Sequence, residues 1–212
     1  MHKLRTILMA DVIKSSKQDQ SSLMAGLKAV VQETNREIPN AFLSPLTITL
    51  GDEFQSVPHS LAEAVQAIFQ IEETIIRKKQ TFKLRYVLSQ GEIDTPINRK
   101  VAYEMLGSGL TEARELLNAS KRGGRRFHIN LREAEIQRSL TDAFFVFQAI
   151  IDKWRVDKDY GLITEFLAYR DYKAVADRLE KTRSQIYKRS KTLMTEEYFA
   201  IKSLINHLVQ RK

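Results

Sequence analysis

The sequence predicts an α+β fold: a ferredoxin-like core in the order β-α-β-β-α-β, extended by one α-β unit, then an all-helical domain containing a helix-turn-helix. Three observations lead there. Over the first 130 residues, short apolar or β-branched runs alternate with segments whose apolar residues recur at helical spacing. Beyond Leu131 every segment reads as helix. An aspartate closes the first strand-like run, and a second sits in a glycine turn between two later ones.

The run Leu4–Ala10 is a buried strand, closed by Asp11. An amphipathic helix follows, with Leu23, Leu27, Val30, Val31, Thr34 and Ile38 on one face. Pro39 and Pro45 bracket a loop. Leu46–Leu50 and Glu53–Val57 flank Gly51-Asp52 and form a β-hairpin, since the glycine accepts the positive φ of the turn. Ser60 with Glu63 is a capping box opening a second helix, which turns Leu61, Ala64, Val65, Ile68, Phe69 and Ile75 inward. Phe82–Leu88 is the next strand, running into Ser89–Ile93. A helix covers Leu110 to Asn118, and Lys121–Arg126 is a basic, glycine-centred turn before the short strand Phe127–Ile129.

This order places the aspartates. In such a sheet the third strand lies between the first two, antiparallel to both, so the end of strand one abuts the turn joining strands two and three. Asp11 and Asp52 then become neighbours, a costly pairing of like charges unless a cation neutralises them. Each also has a local use, Asp11 as a loop cap and Asp52 as a turn residue. Together they are the candidate metal ligands, and a held cation could bind a nucleoside triphosphate. Whether Glu53 faces that metal depends on the hairpin register, because alternate side chains take opposite faces.

Leu131–Trp154 reads as a helix with Phe144, Phe145, Phe147, Ile150, Ile151 and Trp154 as its apolar stripe. Asp157–Gly161 is the expected linker, dividing residues 1–155 from 160–212. In the second unit Tyr172–Leu179, the turn Glu180-Lys181-Thr182 and Arg183–Lys191 resemble a helix-turn-helix. Ala176 stands where the helices touch, and Val175, Leu179 and Ile186 fill the small core. Arg183, Ser184, Gln185, Lys188 and Arg189 are the candidate DNA contacts, and Lys181–Lys191 has five basic residues and no acidic one. Glu180 replaces the usual turn glycine. A helical hairpin with a basic outer face and no partner would read the same way. A last helix from Thr195 carries Tyr198, Ile201, Ile205 and Leu208 on one face, either closing the small domain or forming the dimer contact that helix-turn-helix proteins usually need.

Composition bounds these readings. The chain has 212 residues, 43% hydrophobic and 28% charged, as in ordinary globular proteins. It has no cysteine, which excludes disulfides, thiolate catalysis and cysteine-ligated zinc, and its four histidines show no ligand spacing. No apolar run approaches a membrane span, and the N-terminus leads straight into a strand, so a soluble cytoplasmic protein is expected. Net charge is +8. Residues 1–154 contribute 21 basic and 18 acidic side chains and residues 155–212 contribute 13 and 8, so the excess is concentrated in the helical end, where it suits a polyanion.

At Asp11-Val12-Ile13-Lys14-Ser15-Ser16, Leu50-Gly51-Asp52-Glu53-Phe54-Gln55 and Arg85 through Gly91-Glu92, the chain resembles the SatD family of bacterial proteins. More distantly, the same landmarks resemble the palm of class III nucleotidyl cyclases and GGDEF-type diguanylate cyclases. That likeness implies that Asp11 and Asp52 bind Mg2+, with Glu53 as a second hairpin acid. It implies further that backbone amides around Ile13, Lys14, Ser15 and Ser16 cradle phosphates, and that Arg114 acts on the transferring phosphoryl group. Leu110 replaces the cyclase asparagine, Leu50 replaces the first glycine of a GGDEF hairpin, and no lysine–aspartate pair for adenine is found.

Three functions are therefore expected to compete. One is a DNA-binding regulator, a homodimer on duplex DNA, whose palm senses a nucleotide or its magnesium complex. Another is an Mg2+-dependent enzyme of nucleotidyl or phosphoryl transfer. The third is a vestigial palm serving as a dimerisation scaffold.

Overall fold

A computed structural model describes residues 4–15, 19–49 and 51–210. Ser16 and Leu50 lie outside the described residues. Among the described residues five strands form one sheet: β1 (Leu4–Val12), β2 (Phe42–Ile48), β3 (Glu53–Pro58), β4 (Leu84–Glu92) and β5 (Phe127–Asn130), in the order β2-β3-β1-β4-β5. β1 is central and runs antiparallel to both β3 and β4, and only β5 runs parallel to its neighbour. The β-α-β-β-α-β order of the sequence is thus the order of the chain.

Alternation sorts the sheet into two faces. Leu8, Ala10 and Val12, with Phe54, Tyr86 and Leu88, pack under α1 (Gln20–Glu37) and α2 (Leu61–Arg77). Ile7 and Met9, with Val57 and Val87, pack under α3 (Ser108–Ala119) and the segment 93–107. α3 lies close on β4 because two glycines meet there: a Cβ on Gly91 would stand 2.3 Å from the Cα of Gly109. The same alternation puts Asp11, Glu53 and Arg85 on the α3 face, at the charged end of an otherwise apolar layer.

Some element boundaries differ from those expected. β1 runs one residue past Asp11 rather than stopping before it. β2 begins at Phe42 and contains Pro45; it is an edge strand with two register shifts, where a proline costs no ladder bond. Ser60 does cap α2, accepting from the amides of Ala62 and Glu63, but the Glu63 carboxylate takes the Ser60 hydroxyl instead of closing a capping box.

Beyond β5 the elements are all helices: α4 (Ala134–Ile151), α5 (Tyr160–Tyr169), α6 (Tyr172–Arg178), α7 (Arg183–Leu193) and α8 (Thr195–Gln210). Phe144, Phe147, Ile150, Ile151 and Trp154 are buried, whereas Phe145 points to solvent beside Arg125. α8 lies on α4 and α2, and α5 lies on α2, so Trp154, Tyr160, Ile163, Tyr198, Ile201 and Ile205 join the main core. The tract expected as a linker is packed. Trp154 donates its indole N–H to the Leu193 carbonyl at 2.8 Å, and Asp159 is buried against Arg189 at 2.6 Å. The apolar face of α8 is therefore spent within this chain. Among the described residues no helix is long and apolar enough to cross a membrane.

A charged group lies buried on the opposite side from Asp11. Arg126, 3% exposed, donates to Glu72, to Asp152 at 2.8 Å and to the Leu84 carbonyl at 2.8 Å, and Tyr86 donates to the same Glu72 oxygen at 2.7 Å. Burial works against the Arg126 charge, but Glu72 and Asp152 outweigh it and hold the guanidinium above its ordinary pKa. Arg126 belongs to the core and not to the basic turn in which the sequence places it.

Candidate functional site

The β1–β3 register sets Asp11 directly opposite Glu53, and the β1–β4 register sets it opposite Arg85. Asp52 is one residue further out, half-buried in the turn, and its carbonyl accepts from the Val12 amide at 3.0 Å. Gly51 has the positive φ, +61°, that the turn requires. The three acids expected from the sequence thus meet at one corner of the sheet. Glu53 shares the face of Asp11.

Basic groups answer them. Arg85 Nη1 lies 3.1 and 2.9 Å from the two oxygens of Asp11, with both side chains buried. Arg114, on α3, pairs with Glu53 and donates to Gln55 at 3.1 Å. Lys121, in the turn after α3, stands 3.9 Å from Asp11 and 3.7 Å from Glu53. Burial dominates at Asp11 even so: it pushes the carboxyl up to about 6, against the pull of Arg85 and Lys121 and with Glu53 and Asp52 adding to the rise. Arg85 keeps one buried N–H, at Nε, without a partner among the described residues.

Beside this corner opens a cleft of about 470 Å³ lined by Asp11, Asp52, Lys14, Arg85, Lys121 and Arg122, with the chain at Val12–Ser15 and at Gly123 closing its sides. Lys14 takes a left-handed conformation, φ 56°, and its side chain is exposed. The expected phosphate cradle is only partly available. The Ile13 amide already donates to the Lys83 carbonyl at 2.9 Å. Among the described residues no group of three or more histidines and carboxylates is arranged to hold a metal by itself.

The sequence reading gave no role to Arg85 or Lys121. Arg85 was legible as a lone charge inside Leu84-Arg85-Tyr86-Val87-Leu88, since a charge in a doubly covered strand needs a partner. Nothing in the sequence distinguishes Lys121 from Arg122 or Arg125.

At the other end, α6 and α7 meet around Val175, Ala176 and Ile186, packed on Phe166 with Leu179 at the rim. Arg183, Ser184, Gln185 and Lys188 are exposed. Two expected contacts are otherwise engaged. Gln185 closes a capping box with Thr182, and Arg189 is half-buried on Asp159. Arg183 lies 3.4 Å from Asp177 on the surface.

The model of the SatD family matches residues 6–209. The chain belongs to the SatD family. No curated protein matches this SatD-family chain. Solved structures resemble it distantly. A bacterial light-regulated adenylyl cyclase is 13% identical with a TM-score of 0.45, over 61% of this chain and 44% of that one, so the SatD chain spans under half its length. The catalytic core of a rhodopsin-guanylyl cyclase with converted specificity, in complex with ATPalphaS, is 16% identical with a TM-score of 0.38, over 55% and 72%. The guanylate cyclase domain of RhGC from Catenaria anguillulae, in complex with GTP, gives 16% and 0.38, over 55% and 73%. These are likenesses of chain path at low identity and say nothing of activity in the SatD chain.

Proposed function

We propose that this chain binds a nucleoside polyphosphate in the cleft at the end of β1, and that Mg2+ enters with the phosphates. The observation that carries this is the lining of the cleft: four basic side chains, Lys14, Arg85, Lys121 and Arg122, around two carboxylates, Asp11 and Asp52. Polyanions need the first set. A magnesium ion held by one or two carboxylates and completed by substrate phosphates needs the second. The donor set fits that ion through Asp11 and Asp52, while Glu53 is committed to Arg114 and Lys121.

Magnesium bound there would neutralise phosphate charge and make phosphorus a better electrophile. Lys14 and Arg122, both exposed, would orient the polyphosphate tail. Arg114 would act on a transferring phosphoryl group only after leaving Glu53 and Gln55. The test is thermal stability against nucleoside di- and triphosphates and cyclic dinucleotides, with magnesium and with EDTA. A magnesium-dependent rise for one nucleotide, lost in Asp52→Ala, is the expected result. No shift with any of them removes the reading and leaves the palm as a scaffold.

A second reading concerns α7. Its exposed N-terminal half, with Arg183, Ser184 and Lys188 free of the core, supports the helix-turn-helix assignment and a duplex DNA partner, bound by a homodimer. Arg183→Ala with Lys188→Ala should then weaken retention of duplex DNA and reduce its salt slope by about 2, because each of the two cations neutralises one phosphate. An unchanged slope removes the assignment.

A further inference from the structure

One ammonium stands between two carboxylates in this site. Lys121 Nζ is 3.9 Å from Asp11 Oδ2 and 3.7 Å from Glu53 Oε1, reaching across the β1–β3 pair from the turn after α3. The other basic groups are placed differently. Among the described residues Arg85 pairs with Asp11 only, and its side chain is just 6% exposed. Arg114 serves Glu53 and Gln55 from above. Lys121 is the bridging cation, and its side chain is 47% exposed, on a stem that lines the open cleft. A buried guanidinium cannot leave such a pair without stranding a charge, whereas a half-exposed lysine can.

We propose that Lys121 is an exchangeable counter-ion. In the free protein it holds the position between Asp11 and Glu53, and it moves to phosphate oxygens when a polyphosphate delivers a divalent ion to Asp11 and Asp52. A bare divalent ion must evict an ammonium that is tethered beside its ligands, so it binds poorly. A polyphosphate gives that ammonium a new partner, which couples the two bindings. The proposal rests on the cleft reading above for where the ammonium goes, not for where it starts.

Lys121→Met separates the possibilities when titrated with two probes, Mn2+ alone and inorganic tripolyphosphate in EDTA. The expected result is opposite movement: Mn2+ affinity rises about tenfold, and tripolyphosphate affinity falls by a similar factor. Adding Asp11→Asn to Lys121→Met should abolish the gain in Mn2+ affinity. A merely structural lysine would weaken both probes or neither, and either result overturns the proposal. If Mn2+ tightens while tripolyphosphate binds neither protein, the lysine keeps its place as counter-ion and the polyphosphate reading falls. Lys121→Gln repeats the comparison should the methionine variant fold poorly.

Discussion

Asp11 shows how far one side chain can be read from its neighbours. The sequence placed it at the end of a strand and near the next hairpin, and both hold. It did not reveal that the strand continues for one more residue, which puts Asp11 inside the ladder with Glu53 on one side and Arg85 on the other. Register is a property of three strands together, so no local pattern contains it. The same burial has a measurable consequence. With its carboxyl raised to about 6, the folded chain keeps a proton near pH 5 that the unfolded chain has already released. This residue's contribution to stability is therefore full below about pH 4 and declines as pH rises towards 6. Urea midpoints taken from pH 4 to 7 should show Asp11→Asn gaining on the wild type as pH rises. Parallel curves for the two proteins would show that the carboxyl titrates normally. Phe145 gives the opposite lesson: an aromatic stripe was legible, but residue 145 falls about 100° round the helix from Phe144 and faces out.

At the scale of elements, most of the chain was legible from periodicity, because α1, α2, α7 and α8 carry their apolar residues at regular helical spacing and the first three open on side-chain caps. The misses are where tertiary context overrides local preference. Pro45 signals a loop, yet an edge strand accommodates it. The turn between α6 and α7 is a case where the sequence departs from a pattern and the backbone does not. Glu180 has φ 52°, the left-handed conformation that glycine supplies without cost. Glu180→Gly should therefore be neutral or stabilising by up to about 1 kcal/mol, because relief of strain offsets the extra freedom of the unfolded chain. A valine at the same position should lower the melting temperature clearly. If Glu180→Gly destabilises as much as the valine does, the turn does not depend on that conformation.

For the whole molecule, α5 and α8 of the second expected unit join the core of the first, while α6 and α7 keep a small core of their own. Tyr198 on α8 is 1% exposed, packs on Phe147 and Trp154, and donates to Glu73 of α2 at 2.8 Å. Lys202 joins Glu73 as well. Tyr198→Ala should cost about 3–5 kcal/mol, as large aromatic truncations in cores do, and should lower a single unfolding transition rather than one of two. Two resolved transitions by circular dichroism and calorimetry would show that the helical end folds independently. The composition shift and the polar tract at 157–161 suggested a boundary, and neither could reveal that helices on both sides of it were made to fit each other.

The position of α8 also bears on how such a chain is made. During synthesis α2 and α4 emerge first, with Phe69, Phe147 and Trp154 already present, while the helix that covers them is still inside the ribosome. A nascent chain arrested near residue 190 would carry that surface bare, a natural substrate for a chaperone. Chains arrested far enough downstream for residues 195–210 to clear the exit tunnel should bury it and become resistant to protease in one step.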